Sequence, residues 1–398
     1  MSEAGPAPGL PPAAYAVALA ALAGCGQGRL RALLATAPAG EVWADLRAGR
    51  LLGRPGLGAA LGPGAAGLVE RWRQQAASVD PAAGWRALVA AGVEVWVEGG
   101  PGYPAALVPD PAPPPLLFRQ GDVAALDRPA VAIVGTRRCT GYGLDVAREL
   151  GRDLAAVGIT VVSGLALGID GAAHEGALAA GGAPPVAVVG SGLDVVYPRR
   201  HARLWRRVRE AGLLLSEAPL GAAPEAWRFP LRNRVIAALA RVVVVVESHA
   251  AGGSLSTVQA ALERDVPVMA VPGSVRSPSS VGTNRLLADG VAPVVDAQDV
   301  ITALALQGVA VARPRAGGPG TGPGGAAGPA DAAGGPDPGD DPVLHAVDWA
   351  PTATEDILRR TGAALGQVST ALTRLEMAGL VRSHGGWWER VAQGGRGR

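Results

Sequence analysis

The sequence predicts an α/β fold, a Rossmann-like, doubly wound and mostly parallel sheet, over residues 91–307. Five runs of β-branched residues are each followed by glycine-containing loop residues; they begin at Val131, Val161, Val186, Val242 and Val266. Segments of helical spacing separate the runs, and this alternation is typical of a parallel sheet with helices on both faces. Ligands of such sheets bind at the carboxyl ends of the strands, so we expect the functional site there.

Composition limits the classes of function. The 398 residues allow two to four domains, and the formal net charge is only +2. The basic residues are all arginine, so affinity for nucleic acid would need a local patch. No membrane-length apolar run or secretory leader is evident, which predicts a cytoplasmic protein without a membrane partner. Cys25 and Cys139 stand alone, and neither a disulfide framework, a metal site nor a cofactor is predicted.

The N-terminal part is predicted to contain a disordered tail at 1–12 and a helical module at 13–90. A glycine-rich turn from Gly24 to Gly28 joins two short apolar helices, as in a helix-hairpin-helix or SAM-like module. Such a turn can present backbone N–H groups to a phosphate. The favoured interpretation is a small bundle packed on the next domain, because glycine in a turn requires no ligand.

A Gly/Pro/Ala-rich segment at 308–341 predicts a flexible linker, and residues 342–398 predict a winged-helix domain. Thr352 or Thr354 is expected to cap its first helix, and a hairpin is expected to turn at Gly385 and Gly386. The second helix of such a module can enter a DNA groove. A protein-binding or dimerising role is equally compatible with the sequence.

The loop after the first strand carries Gly135 and Arg137, a pair that suits phosphate binding. A structural turn with a surface arginine is the alternative. The spacing matches neither the dinucleotide fingerprint nor the P-loop, which argues against nicotinamide or ATP chemistry. Gly164 ends the next strand and is expected at the same edge.

A second candidate group combines arginines with an aromatic ring. Arg232, Asn233 and Arg234 follow Phe229, so phosphate contacts and base stacking are both available. The basic run at 197–210 predicts a helix face shared by Arg199 and the arginines at 203, 206 and 207. A solvated helix face is the alternative for that run.

The remaining candidates are polar loops. Gly253 and Ser254 precede a helix and could form an anion site, and Asn284 lies in a similar loop. Asp170 and His174 share a helix face, but with no third metal ligand we expect Asp170 to cap the helix. No Ser-His-Asp order occurs, and Glu217, Glu247 and Glu263 are scattered rather than paired, so no catalytic residue is predicted.

Taken together and in order, the motifs resemble the DNA-processing protein A family, DprA, also called Smf. The matching segments are AIVGTRRCTGYG, VSGLALGIDGAAHEGAL, VGSGLDVVYPRRH, LLSEAPLG, FPLRNRVIAALA, VVVVESHAAGGSLSTVQAALERDVPVMAVPG and GTNRLLADGV. The resemblance implies a homodimeric single-stranded DNA-binding protein that protects incoming strands in natural transformation and loads RecA onto them. It implies no enzymatic activity.

The resemblance also implies which residues line the DNA pocket. Arg137 matches the arginine of the G-[ST]-R motif, and residues 232–234 match F-P-x-R-N-R. The loop at 252–254 is similar to the S-G-S loop, with Gly252 in place of serine. His201 stands where asparagine is frequent, and lysine is absent from the pocket positions, including Leu231. Affinity would therefore depend on arginine.

Two other functions remain as alternatives. A related Rossmann-like group cleaves nucleoside monophosphates, but the loop at 251–259 lacks that group's glutamate. A regulator could instead bind duplex DNA through the winged helix.

Overall fold

The computed structural model describes residues 9–310, 341–347 and 351–391. The tail predicted at 1–12 and the linker predicted at 308–341 lie mainly outside these ranges. The helices are α1 (Pro12–Ala20), α2 (Gln27–Leu34), α3 (Ala39–Arg47), α4 (Leu57–Leu61), α5 (Ala65–Ala76), α6 (Pro81–Ala90), α7 (Gly141–Ala156), α8 (Ile169–Ala180), α9 (Ala202–Ala211), α10 (Arg228–Leu239), α11 (Leu255–Leu262), α12 (Val281–Ala288), α13 (Ala297–Leu306), α14 (Pro342–Ala346), α15 (Thr354–Thr361) and α16 (Leu365–Met377).

The strands form a nine-stranded sheet and a three-stranded sheet. They are β1 (Glu94–Val97), β2 (Leu116–Gly121), β3 (Ala130–Val134), β4 (Thr160–Ser163), β5 (Val186–Val189), β6 (Leu213–Ser216), β7 (Val242–Val245), β8 (Val268–Ala270), β9 (Ala292–Pro293), β10 (Thr352–Ala353), β11 (Val381–His384) and β12 (Trp387–Arg390). The large sheet has the order β1-β2-β6-β5-β4-β3-β7-β8-β9. Strands β6 to β9 in this order pair in parallel, whereas β1 and β2 are antiparallel additions. The predicted mostly parallel sheet is confirmed.

Helices cover both faces of the parallel strands, as their apolar runs predict. Strands β3, β4, β5 and β7 are buried along their whole length. Helices α7, α8 and α13 pack on one face, and α10 and α11 pack on the other. The backbones of α7 and α8 approach closely because Gly151 and Gly176 lack side chains. A Cβ at either glycine would overlap a carbonyl oxygen of the opposite helix.

Helices α1–α6 form a bundle whose core is continuous with the sheet through α9. Trp205 of α9 and Val189 of β5 belong to the same buried cluster as Trp72 of α5. The backbone of Ala23, within the turn between α1 and α2, is already bonded. Trp72 Nε1 donates to its carbonyl at 3.0 Å, and its N–H donates to Gln75 Oε1 at 2.9 Å. These contacts favour the interpretation of a bundle packed on the neighbouring domain.

The C-terminal residues form a winged helix, in which α14, α15 and α16 pack on the three-stranded sheet β10-β12-β11. The predicted turn at Gly385 and Gly386 is confirmed, with φ of +58° and +86°. The predicted threonine cap is wrong. The N-cap of α15 is Ala353 without a side-chain bond, because Thr352 is drawn into β10. None of the helices in the described ranges is long and apolar enough to cross a bilayer.

Candidate functional site

The order in which the chain adds strands to the sheet reverses between the neighbouring strands β3 and β7. The chain continues from β3 through β4, β5 and β6 on one side, and then returns to β7, β8 and β9 on the other. Ligands of open α/β sheets bind at this kind of switch point. A cavity of about 740 Å³ lies there, lined by the loops after β3 and β7 and by the start of α10. Thr136 N donates to the Glu247 carbonyl at 2.8 Å and ties the two loops together.

The loop after β3 places two free cations at this cavity. Arg137 and Arg138 are exposed, and within the described part of the chain neither makes an ion pair with a carboxylate. Gly135 has a packing role, since a Cβ there would lie 2.5 Å from Ile169 Cγ1 and 2.8 Å from the Glu247 carbonyl oxygen. The glycine lets β3 turn beside α8, and the arginines supply the charge.

An aromatic pair stands beside these cations. The Phe229 ring lies 4.9 Å from the Arg137 guanidinium carbon, which is a cation–π distance. The Tyr197 ring lies 5.5 Å from the Phe229 ring, tilted by 35°. Both rings line the cavity, so an apolar surface for a planar ligand adjoins a site for an anion.

Arg232 lies in the floor of the cavity and is only 5% exposed. Its Nη1 donates to the carbonyl of Gly164 at 2.6 Å and to that of Val188, and its Nε donates to Asn233 Oδ1 at 3.1 Å. Burial lowers its pKa to about 10, so it remains protonated at neutral pH. A Cβ on Gly164 would overlap the guanidinium. The predicted Gly164 therefore acts by leaving space for Arg232.

Asp170 is the anionic partner of Arg232, with Oδ2 3.9 Å from Nη2. It does not cap α8 as expected, because the N-cap is Gly168 and the carboxylate accepts instead from Gly164 N at 3.2 Å. Burial raises the pKa of Asp170, and the arginine opposes this shift. Burial lowers the pKa of the neighbouring His174 to about 3, so its ring is neutral. The described residues contain no cluster able to hold a metal ion.

The glycine-serine loop forms a polar, uncharged wall. Ser254 is the N-cap residue of α11, and its hydroxyl donates to Ser248 Oγ at 2.9 Å. Asn233 Nδ2 donates to Ser256 Oγ at 2.7 Å, which joins α10 to this loop. Gly253 has open space around its Cα, with no atom within 4 Å of the position of a Cβ.

Three predicted residues lie elsewhere. Arg234 turns away from the cavity because buried Glu217 and the Ala112 carbonyl hold its guanidinium. Asn284 exchanges two hydrogen bonds with the backbone of Gly273, at 3.0 and 3.2 Å. Arg199 is exposed in a 3₁₀ turn outside the cavity lining. The helix predicted to carry Arg199 begins only at Ala202, after the turn that Pro198 starts.

Tyr197, Arg138 and His249 also line the cavity, and they were not among the predicted site residues. Tyr197 stands in the Tyr-Pro pair after β5, where an aromatic residue at a strand end could have indicated a site. Arg138 directly follows Arg137. His249 follows the Glu247-Ser248 strand end, and its Nδ1 lies 3.1 Å from Thr136 Oγ1.

The fold and the site define a class of protein: a doubly wound α/β sheet with a cavity at its switch point, lined by exposed arginines and an aromatic pair. A family model described as DNA recombination-mediator protein A matches residues 94–305, and one described as DprA winged helix domain matches residues 327–386. The chain belongs to the DNA recombination-mediator protein A family.

Individual relatives agree with this assignment. Protein Smf of Synechocystis is 34% identical over 316 residues, which cover 72% of this chain and 77% of the relative. Protein Smf of Escherichia coli is 41% identical over 200 residues, 50% of this chain and about half, 53%, of the relative. The X-ray structure of DNA processing protein A from Streptococcus pneumoniae aligns with a TM-score of 0.60 and 32% identity, covering 73% of this chain and 97% of that one.

Proposed function

We propose that this protein binds single-stranded DNA at the switch-point cavity and acts as a recombination mediator. The observation that carries the proposal is the pairing of two unpaired, exposed arginines with an aromatic pair in one cavity. Along a nucleic-acid strand, each phosphate lies next to a base. A site that offers both charge and ring faces suits that ligand better than it suits a simple anion.

The arginines of the cavity have two roles: two of them contact the strand, and one supports the site electrostatically. Arg137 and Arg138 reach solvent and contact backbone phosphates, whereas Arg232 raises the potential of the floor without leaving its carbonyl partners. Contact through phosphates is independent of sequence and weakens as salt rises, because binding releases counterions. The open space at Gly253 allows the strand to pass close to the backbone of the loop.

The aromatic pair favours a single strand over a duplex. A base can stack on Tyr197, which is 38% exposed, while Arg137 covers the neighbouring Phe229. Bases of a duplex are already stacked and paired, so they are unavailable to a ring at the bottom of a cavity.

Fluorescence anisotropy of labelled oligonucleotides tests the proposal. We expect binding of a thymidine homopolymer to exceed binding of a duplex of equal length, and Arg137→Ala to weaken it. Arg71→Ala is the matched control, because Arg71 is exposed on α5 in the N-terminal bundle. Equal loss in both variants, or better binding of the duplex, would overturn the proposed function.

The same proposal includes a place in the cell and two partners. We infer that the protein works in the cytoplasm as a homodimer, protects strands taken up in natural transformation and loads RecA onto them. The family resemblance in the sequence supports these points. Sedimentation velocity checks the dimer, and RecA filament formation on strands coated with single-strand-binding protein checks the loading.

We also infer that the protein is not an enzyme. Asp170, which lines the cavity, faces Arg232, and Glu247 accepts from Thr140 N and Oγ1 at 2.9 and 2.7 Å. Neither is free to activate a water. Release of free adenine from AMP by the purified protein would contradict this point.

A further inference from the structure

The N-terminus of α7 is completed by two carboxylates from elsewhere in the chain. The first N–H groups of a helix have no partner within the helix. Here Thr140 N donates to Glu247 Oε2 at 2.9 Å, and Gly143 N donates to Thr140 Oγ1 at 3.2 Å. The N–H groups between them, of Gly141 and Tyr142, face the carboxylate of Glu389. Glu389 belongs to strand β12 of the winged helix.

The contact between the wing and α7 is close. Glu389 is only 5% exposed, and a Cβ on Gly141 would overlap its Oε2. A second contact flanks it, since Arg382 Nη2 of β11 donates to Asp145 Oδ1 of α7 at 3.1 Å. One face of the winged helix is thus fixed to the start of α7 by a buried carboxylate and an ion pair.

This contact lies next to the proposed DNA cavity. Arg138 lines the cavity and Gly141 follows it by three residues, so their Cα atoms are at most about 11 Å apart. A helix N-terminus binds carboxylates and phosphates by the same N–H groups and the same dipole. If Arg138 bound one phosphate of a strand, the N–H groups that Glu389 faces would be within reach of a neighbouring phosphate.

We propose that the start of α7 is a phosphodiester-binding position that the wing occupies through Glu389, and that a bound single strand and the wing compete for it. This inference rests on the proposed function, and it adds a closed arrangement in which the winged helix limits access to the cavity. Binding of the strand releases the wing, which frees the winged helix for contacts that it does not make when closed.

Anisotropy with the full chain and a thymidine homopolymer tests the competition. Glu389→Gln keeps the shape of the side chain but removes its charge, so we expect affinity to rise about three- to tenfold. Glu355→Gln changes the net charge equally at an exposed position of α15 and is the matched control. Equal affinity of the two variants would overturn the inference.

Arg382→Ala is an independent test, because it removes a positive charge whereas Glu389→Gln removes a negative one. Loss of an arginine ordinarily weakens binding to DNA. Because Arg382 holds the wing to Asp145, we expect its removal to strengthen binding. A weakening, with no gain in Glu389→Gln, would contradict the competition. If Arg137→Ala still weakened binding, the proposed function would survive, whereas absence of single-strand binding by the parent protein would end both.

Hydrogen exchange then locates the change. On addition of the homopolymer we expect amides of residues 381–390 to exchange faster, while those of residues 136–143 exchange more slowly. Unchanged exchange in the wing at saturating DNA would show that the strand does not displace it.

Discussion

Arg137 and Arg232 line the same cavity, but they differ in burial and therefore in role. Arg137 is exposed and stacked on Phe229, so its charge is available to a ligand. Arg232 is buried, its Nη1 donates to two carbonyls, and its pKa is lowered to about 10. Removing Arg137 should affect binding alone, whereas removing Arg232 should leave Asp170 buried without its partner and destabilise the fold.

Gly164→Ala tests the floor of the cavity. Its Cβ would overlap the Arg232 guanidinium, which must then move from its carbonyl partners. We expect the free energy of unfolding to fall by about 1–3 kcal/mol and binding of single-stranded DNA to weaken. Gly253→Ala is the control, because a Cβ added there would meet open space. In thermal denaturation it should unfold like the parent. Equal stability of both variants would be evidence against the packing of Arg232.

His174 predicts a loss of stability in acid. Burial lowers the pKa of His174 from 6.5 to about 3. Between these two pH values the histidine is protonated in the unfolded chain and neutral in the folded chain. Stability from this group is complete above pH 6.5 and falls as the pH is lowered towards 3. Relative to His174→Asn, the parent should lose about 2 kcal/mol between pH 7.5 and 5 in urea titrations. A difference that does not change with pH would exclude this role.

Helix α10 joins the cavity to the loop after β6 and to the segment that leads into β2. Phe229, Arg232 and Asn233 point to the cavity, whereas Arg234 reaches Glu217 after β6 and the carbonyl of Ala112. Burial raises the pKa of Glu217 to about 7, and Arg234 opposes the shift. The motif that contributes to the site therefore also holds the proline-rich lead-in to β2.

Arg234→Ala separates these two roles of α10. It should leave Glu217 buried without its partner and lower the free energy of unfolding by about 3–5 kcal/mol. Glu217→Gln in the same chain should restore part of the loss, which denaturant titration of both variants would measure. The folded protein should still bind single-stranded DNA. A variant as stable as the parent but unable to bind would instead place Arg234 in the DNA site.

The sequence predicted the elements well where periodicity carries the information. The buried strands β3, β4, β5 and β7 and the hairpin at Gly385 follow from β-branched runs and turn residues. Side-chain direction was not predictable. Arg232 and Arg234 are two residues apart on a helix, so they point to different sides. The positions of Glu217 and the Ala112 carbonyl decide where Arg234 binds. The role proposed for Glu389 could not be predicted from the sequence either, because it depends on a contact between two domains that are distant in the sequence.

At the scale of the whole molecule, three units meet around one sheet. The N-terminal bundle shares its core with α9, and the winged helix contacts α7 at the edge of the cavity. Under the proposed competition, a strand bound in the switch-point cavity displaces the wing from α7. The proposed affinity for a strand is therefore electrostatic, because a few arginines held in one place provide it.

The slope of log Kobs against log salt concentration for a thymidine homopolymer measures how many phosphates the protein contacts. A single strand loses about 0.7 in slope for each phosphate contact removed. We predict that Arg137→Ala lowers the magnitude of the slope by about that amount, with Arg71→Ala unchanged. A slope that Arg137→Ala leaves unaltered would show that the phosphates are bound outside the switch-point cavity.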